Sequence, residues 1–308
     1  MATSAKFDLD RGMVITGKWR HRRYRVERML GEGANGKVYL VQQDSRLMAL
    51  KVGLDTADLQ SEINVLQALE KQQKKGNGGS PFLYDVDDLK LRSGKEYPFY
   101  VMRYVRGTKL PAFLAASGAE WFPLAGYNLL LRLADLHGSG WAFGDLKVDN
   151  VLVADYGRVE LVDYGGVTAF GKSIRQFTEI YDRGYWNAGI RTSDAPYDLF
   201  SFAVLCVQLF EEKELYRLTA GTLPQNRGTA ELLRLAQQSQ QLKPFSGWLA
   251  RAFAGGFRDA AEAADAWNVV IHRIGRPSKP VPWWTKALFL LSAAGLAASA
   301  FWLAGGFG

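Results

Sequence analysis

The residues best placed for chemistry share one short segment, residues 144–152, which reads GDLKVDNVL. Asp145 is a carboxylate that can accept the proton of an attacking hydroxyl, and Lys147 can neutralise a moving phosphoryl group. Asn150 offers an amide oxygen to a divalent cation, and Asp163, in the downstream triplet DYG, offers a carboxylate on a turn. Phosphoryl transfer needs this combination of a hydroxyl acceptor, metal ligands and cations.

A glycine-rich stretch nearer the N-terminus supplies a second part of the same chemistry. The sequence GEGANGKV spaces Gly31, Gly33 and Gly36 as G-x-G-x-x-G-x-V. The residues after the last glycine predict a strand rather than the helix of a dinucleotide-binding turn, which favours a hairpin folded over nucleotide phosphates. Lys51 ends a strand-like run and can neutralise phosphate charge, and Glu62 can hold it in place by an ion pair.

A β-rich part followed by a larger helical part must position these residues. Alternation over residues 24–53 predicts strand, turn, strand, strand, and further strands are predicted around 82–86 and 99–105. Between them, helical spacing over 59–69 predicts the helix that carries Glu62, with Glu70 at its end as the alternative partner for Lys51. Beyond Thr108 the pattern is mostly helical, with short strands predicted near 151–153 and 159–162.

With its motifs in this order, the sequence resembles the eukaryotic-type (Hanks-type) serine/threonine protein kinases of bacteria. The resemblance covers residues 24–270, nearly the whole chain before the C-terminal apolar run. It implies an α+β, two-lobed protein kinase fold over residues 24–272, with a small β-rich N-lobe at about 24–105 and a larger helical C-lobe at about 108–272. It also implies a non-specific serine/threonine protein kinase that transfers the γ-phosphoryl group of ATP to protein hydroxyls, with Mg²⁺ or Mn²⁺ as the metal.

The resemblance assigns a role to each motif residue. Asp145, Lys147 and Lys51 would be catalytic, with Asp145 as the base, and Asn150 and Asp163 would be the metal ligands. Met102 would be the gatekeeper beside the adenine, and the hinge would run from Arg103 to Val105. The residues implied to bind ATP are Gly31, Glu32, Gly33, Gly36, Val38, Ala49, Lys51, Glu62, Met102, Arg103 and Val105.

Two departures from the family pattern bear on regulation. The family's His-Arg-Asp is Phe-Gly-Asp here, so no arginine precedes Asp145 to bind a phosphorylated activation segment, and activity is expected to depend less on such phosphorylation. The family's Ala-Pro-Glu is not visible, which removes the glutamate partner expected for Arg258.

Gly144 also leaves open a small-molecule kinase resembling the aminoglycoside phosphotransferases, and a membrane-tethered pseudokinase scaffold is the third alternative. Thr168, Ser173 and Thr178 are candidate autophosphorylation sites.

Composition excludes several other classes. The chain has 308 residues, 48% of them apolar, a net charge of +7 and one cysteine, which excludes a disordered chain and a disulfide framework. Residues 287–304 contain no charge and follow a basic, proline-rich linker at 273–286. As a helix they would rise about 27 Å, which predicts a single membrane span with the kinase domain in the cytoplasm.

A basic segment precedes the glycine loop, in the extension formed by residues 1–23 and the first strand residues. It interleaves cations with aromatic rings, and its cations are Lys18, Arg20, Arg22, Arg23 and Arg25. The pattern is typical of a surface for DNA or for anionic lipid, or of an ordinary solvated edge. The protein substrate and the oligomeric state stay open, with a homodimer as one option.

Overall fold

The computed structural model describes residues 8–33, 36–73, 82–91 and 94–274, with single positions among residues 288–299. Of residues 72, 73 and 155 it describes the backbone only. Two compact units divide the chain, residues 1–268 and residues 269–308. The second unit contains the end of the last long helix and helical positions at 288, 289, 291, 292, 294–296 and 299.

The N-terminal part of the first unit is a six-stranded antiparallel sheet with one helix. Its strands run in the order β1-β2-β3-β4-β6-β5. They are β1 (Val14–Thr16), β2 (Arg23–Gly33), β3 (Gly36–Gln43), β4 (Arg46–Gly53), β5 (Leu83–Lys90) and β6 (Glu96–Arg103). The helix is α1 (Thr56–Gln73). The predicted strand pattern over 24–53 and the predicted helix over 59–69 are confirmed.

The two faces of this sheet bury different cores because side chains alternate along each strand. The outer core contains Ile15, Tyr24 and Phe99 among its buried residues. On the other face, Ala49 and Tyr100 pack with apolar residues of α1. The helix begins where the Asp55 carboxylate accepts the N–H groups of the second and third following residues, at 2.8 and 3.1 Å.

Residues 9–16 also pack into this part of the fold, although their sequence has little pattern. Ile15 is buried on β1, which pairs antiparallel with β2, and Leu9 is buried beside it in the outer core. A three-residue strand is too short to show an alternating pattern, and its pairing partner lies further along the chain.

The C-terminal part of the first unit is mainly helical. Its helices are α2 (Leu110–Ser117), α3 (Phe122–Gly138), α4 (Ala195–Gly221), α5 (Thr229–Gln238), α6 (Ser246–Phe253) and α7 (Ala260–Ile274), the last of which continues into the second unit. Its short strands are β7 (Thr108–Lys109), β8 (Trp141–Ala142), β9 (Val151–Val153), β10 (Val159–Leu161) and β11 (Thr168–Ala169). They form two small sheets, β10-β9-β7 and β11-β8, that display the predicted catalytic loop and the DYG turn.

The core of the helical part forms around α4 and an aromatic cluster. The first half of α4 is buried, and its N-terminus is capped by Asp194, whose carboxylate accepts the Tyr197 N–H at 2.8 Å. Trp267 stacks on Phe245 at 4.1 Å between ring centroids and meets Trp248 edge-on at 5.0 Å. This packing makes α4 a fixed support for the loops at its N-terminus.

The predicted membrane span at 287–304 and most of the predicted linker at 273–286 lie outside the described residues. Within the part of the chain that the structure describes, no helix combines the length and the apolar composition needed to cross a bilayer.

Candidate active site

The glycine-rich turn joins β2 to β3, where Gly33 faces Gly36 across the hairpin. Gly36 has φ of +151°, and a Cβ atom there would lie 2.1 Å from the carbonyl oxygen of Val52 on β4. No other residue fits this position, because both the backbone conformation and the contact with β4 exclude a side chain. Val38 and Ala49, two predicted ATP-binding residues, lie on the face of the sheet that packs with α1.

Lys51 lies at the centre of a three-residue ion cluster. Its Nζ is 2.7 Å from Oε2 and 2.9 Å from Oε1 of Glu62, and 2.8 Å from Oδ1 of Asp163. Lys51 and Glu62 are both 4% exposed, so their pairing is shielded from water. The structure therefore brings together one residue each from β4, α1 and the DYG turn.

Burial and charge act in opposite directions in this cluster. Burial alone would lower the pKa of Lys51, but the two carboxylates outweigh it and raise that pKa. Burial raises the pKa of Glu62 against the opposing effect of Lys51. Burial would also raise the pKa of Asp163, but Lys51 and Lys147 outweigh it and lower that pKa. The cluster contains two carboxylates and one ammonium group, so one negative charge is left in excess. A bound cation would neutralise that charge.

The catalytic loop is held by its backbone. Asp198, fully buried in the first turn of α4, accepts the N–H groups of Phe143 at 2.6 Å and Gly144 at 2.9 Å. Its carboxylate also lies 3.0 Å from Nε2 of His137, on the last turn of α3. These three contacts fix the chain immediately before Asp145.

Asp145, Lys147 and Thr178 form a compact polar group. The Asp145 carboxylate accepts hydrogen bonds from Lys147 Nζ at 2.6 Å and from the Thr178 hydroxyl at 2.9 Å. Lys147 also donates to the Thr178 hydroxyl at 3.2 Å. Thr178, a candidate autophosphorylation site from the sequence, has its hydroxyl engaged at the Asp145 carboxylate. No local pattern reveals this contact, because it joins residues 33 positions apart.

The two predicted metal ligands differ in setting. Asn150 is buried and donates from Nδ2 to the carbonyl oxygen of Asp145 at 2.9 Å, which makes its amide oxygen the group for a metal ion. Asp163 has left-handed backbone, with φ of +64°, and its side chain is 49% exposed. Among the described residues no group of three or more His, Cys, Asp or Glu could hold a metal. A carboxylate and an amide fit Mg²⁺ if phosphate and water complete its octahedral shell.

Tyr164, the aromatic residue of the DYG turn, locks that turn against the N-terminal sheet. Its ring meets Phe82 edge-on at 5.1 Å and Phe143 at 5.8 Å, and it packs against the core that α1 shares with the sheet. Burial raises the pKa of its hydroxyl to about 12. Asp163 is thus directed toward Lys51.

At the predicted hinge, Met102 is buried in the same core as Ala49. The Arg103 side chain reaches Glu160 at 3.4 Å and lies over the Phe82 ring, so any adenine contact falls to its backbone. Val105 is half-buried in the segment that follows β6. Glu32, at the turn of the glycine hairpin, lies 3.7 Å from Lys37.

Four of the five cations of the basic segment lie close to acidic residues, and the partners of three of them belong to other elements. Lys18 pairs with Glu96 at 2.8 Å, and Arg25 with Glu27 at 3.2 Å. Arg20 and Arg22 both approach the buried carboxylate of Asp85 on β5, at 3.0 and 3.5 Å. Arg23 is exposed at the start of β2. The positive charge of this surface is therefore smaller than its five cations imply.

Comparisons with known proteins agree with the fold. A family model described as a protein kinase domain matches residues 24–248. The chain belongs to the protein kinase family. It is 36% identical over 262 residues to the serine/threonine-protein kinase YabT of Bacillus subtilis (strain 168), covering 84% of this chain and 75% of YabT. This kinship identifies the chain as a bacterial Hanks-type serine/threonine protein kinase.

Two solved kinases share the two-lobed fold. Vaccinia related kinase 3 superposes with a TM-score of 0.57 at 17% identity, covering 88% of this chain and 94% of that structure. The PknI kinase domain of Mycobacterium tuberculosis superposes with a TM-score of 0.53 at 23% identity, covering 86% of this chain and all of that domain. The predicted protein kinase fold, with a β-rich N-lobe and a helical C-lobe, is confirmed.

Proposed function

We propose that this kinase uses ATP with Mg²⁺, or Mn²⁺, to phosphorylate protein serine and threonine hydroxyls, with Asp145 as the general base. The proposal rests on two hydrogen bonds that the Asp145 carboxylate accepts, one from Lys147 Nζ at 2.6 Å and one from the Thr178 hydroxyl at 2.9 Å. Two donors orient the carboxylate, which can then align a substrate hydroxyl and take its proton. Lys147 is positioned to offset the negative charge of the transferring group.

The ion cluster would hold the nucleotide side of the reaction. Lys51, oriented by Glu62, would donate to phosphate oxygens beneath the glycine hairpin. Asp163 and the amide oxygen of Asn150 would hold the metal. When bound, the metal neutralises charge on the phosphate oxygens. Met102 and the backbone from Arg103 to Val105 would receive the adenine.

The test compares Asp145→Asn with Asp135→Asn in the full chain. Asp135 lies on α3 with its side chain 77% exposed and only a weak ion pair, so it is a matched control. With Mg²⁺-ATP and a serine- and threonine-containing protein such as casein, we expect Asp145→Asn to lose about 10³-fold or more in rate. Asp135→Asn should stay near the wild-type rate. Wild-type-like phosphorylation by Asp145→Asn would overturn the role of Asp145, and a wild-type chain that phosphorylates no serine or threonine would overturn the function.

We also propose that residues 287–304 anchor the enzyme in the cell membrane, with its kinase domain in the cytoplasm. The uncharged composition of this stretch and the basic linker before it support the proposal. The full chain should stay in the membrane pellet after a carbonate wash, whereas a chain ending at residue 280 should be released. Release of both chains would contradict the anchor.

The basic segment has less net positive charge than its sequence suggests, because four of its five cations lie close to carboxylates. We propose that the remaining charge binds DNA or anionic lipid weakly and in a salt-dependent manner. Fluorescence anisotropy with short duplex DNA, and sedimentation with vesicles containing phosphatidylserine, would separate the two ligands. Reversal of Arg20, Arg22 and Arg23 to Glu should abolish the binding. Unchanged binding, or none at low salt, would exclude the surface.

A further inference from the structure

Two devices that usually order the activation segment of this family are absent, and the structure gives a steric reason for one of them. Gly144 has φ of +78°, and a Cβ atom there would lie 2.3 Å from the carbonyl oxygen of Gly166. An arginine cannot occupy this position without displacing the DYG turn. The second missing device is the ion pair between Arg258 and the glutamate of the family's Ala-Pro-Glu. The Arg258 side chain is 82% exposed and pairs with the adjacent Asp259 at 2.9 Å.

The segment that carries Thr178 nevertheless contains two buried charges of its own. Asp182 is fully buried, and its carboxylate accepts from Arg191 Nε at 2.7 Å, from the Tyr197 hydroxyl at 3.1 Å and from the N–H groups of Gly184 and Tyr185 at 3.2 and 3.1 Å. Each of these donors belongs to the same segment or to the first turn of α4.

Arg183, the next residue, is only 9% exposed. It donates to both carboxylate oxygens of Asp194, at 2.9 and 2.8 Å, and to the carbonyl oxygens of Ile190 at 2.7 Å and Thr192 at 3.1 Å. A planar guanidinium with four acceptors fixes the chain around it more firmly than a single ion pair. Asp194 is also the cap of α4, so this pair ties the segment to the core of the C-lobe.

A short backbone ladder closes the segment on itself. Gly171 N donates to Ser193 O at 2.8 Å, Ser193 N to Lys172 O at 2.7 Å, and Ile174 N to Arg191 O at 3.0 Å. Residues 171–174 are therefore held beside residues 191–193, next to the partners of the two buried charges: Arg191, which pairs with Asp182, and Asp194, which pairs with Arg183.

The clamped segment connects directly to the catalytic loop. Tyr181 is adjacent to Asp182. Its hydroxyl accepts the Val148 N–H at 3.2 Å and donates to Gln208 on α4. Its carbonyl oxygen accepts the Ser201 hydroxyl at 2.9 Å. Thr178 contacts Asp145 from the same segment, so a shift of residues 182–194 would be transmitted to the catalytic carboxylate.

We propose that Asp182 and Arg183 are positioning residues. Through Arg191 and Asp194 they hold the substrate-binding segment in its competent conformation without a phosphate group. The inference rests on the kinase function proposed above and adds its mode of regulation: the enzyme is active from its first turnover. Asp182 and Arg183 each make four hydrogen bonds. We infer that these bonds replace the contact between a phosphate group and an arginine that the family commonly uses.

The first experiment measures initial rates on a peptide substrate after phosphatase treatment, with the double variant Thr168→Ala, Ser173→Ala beside the wild type. We expect both dephosphorylated enzymes to retain their rate within about twofold, with no lag on addition of ATP. A loss of about tenfold that preincubation with ATP restores would overturn the proposal. A wild-type enzyme with no activity in any state would instead refute the kinase function itself.

The second experiment separates positioning from simple folding. Arg183→Met should lower kcat/KM for the peptide by about 30-fold or more, while the dissociation constant for ATP changes less than about twofold, because the nucleotide residues lie on other elements. Arg183→Lys should recover part of the loss, and Arg217→Met, on the exposed face of α4, should behave as wild type. Asp194→Asn keeps the shape of the acceptor and serves as the second variant if Arg183→Met does not fold. An unchanged peptide kcat/KM in folded Arg183→Met, or in folded Asp194→Asn, would overturn the proposal.

Discussion

Replacing Gly144 by alanine tests the steric account of the catalytic loop. The backbone there has φ of +78°, and the new methyl group would meet Gly166 O at 2.3 Å and the Ile174 side chain at 3.3 Å. The left-handed conformation costs a residue with a side chain about 1–2 kcal/mol. Relief of the overlap by a backbone shift adds about 1–3 kcal/mol. We therefore expect the free energy of unfolding to fall by about 2–5 kcal/mol.

A kinase domain of this size should lose about 2–4 °C in Tm for each kcal/mol, so Gly144→Ala should melt roughly 4–20 °C below the wild type. Gly166 packs directly on Asp145, since a Cβ atom on Gly166 would lie 2.8 Å from the Asp145 side chain. A shift of Gly166 would therefore move Asp145, the proposed general base, and kcat should fall by about 10²-fold.

Gly138→Ala is the matched control. Gly138 ends α3, and a Cβ atom there meets nothing within 4 Å. We expect it to be neutral or to stabilise the protein by up to about 1 kcal/mol. Differential scanning fluorimetry would measure the Tm of the two variants, and steady-state kinetics would measure their kcat. Equal melting temperatures for Gly144→Ala and Gly138→Ala would refute the reasoning, because only one site has the clash.

Three further predictions concern other polar contacts. Lys51→Met leaves Glu62 buried without its cation, so we expect a loss of about 3–5 kcal/mol at pH 7 and of about 10² or more in kcat. The stability deficit should shrink as the pH falls through the raised pKa of that carboxylate, as urea unfolding at several pH values would reveal. Asp87 is buried and accepts three backbone N–H groups, which lower its pKa against the effect of burial. Asp87→Asn should cost about 1–3 kcal/mol near pH 7. The cost should decrease as the pH falls below about 4, the pKa of an unfolded aspartate, towards the lowered pKa of the folded carboxylate, and a constant deficit would contradict this account. Thr178→Ala should lower kcat by about tenfold while Thr178→Ser keeps it, and equal rates for the two would exclude the hydroxyl contact.

Local sequence pattern predicted the elements that obey a local rule. The glycine spacing and the alternating residues of β2 to β4 determine a hairpin, because side-chain period and backbone freedom act within a few residues. The apolar residues of α1 recur at helical spacing, which placed Glu62 on the face toward Lys51. The Lys51–Glu62 pair was therefore predictable, whereas the contact of Lys51 with Asp163, 112 positions away, was not predicted.

Contacts between distant residues could not be predicted in the same way. The Asp198 carboxylate binds the backbone of Phe143, 55 positions earlier, and Thr178 reaches Asp145 across 33 positions. The partner of Arg20 is 65 positions away, on β5. A basic segment therefore looked more strongly charged in sequence than it is in the fold, because the neutralising carboxylates come from another strand.

The family match begins at residue 24, but the core of the N-terminal sheet includes side chains that precede it. Leu9 and Ile15 are 5% and 1% exposed, in the same core as Tyr24 and Phe99. Each such side chain contributes about 1.5–3 kcal/mol when it leaves water. A chain shortened to the family boundary would expose the outer face of the N-lobe sheet and favour self-association. A relative without this segment needs another cover for that face, so homologues can differ at their N-termini while the catalytic residues stay in place.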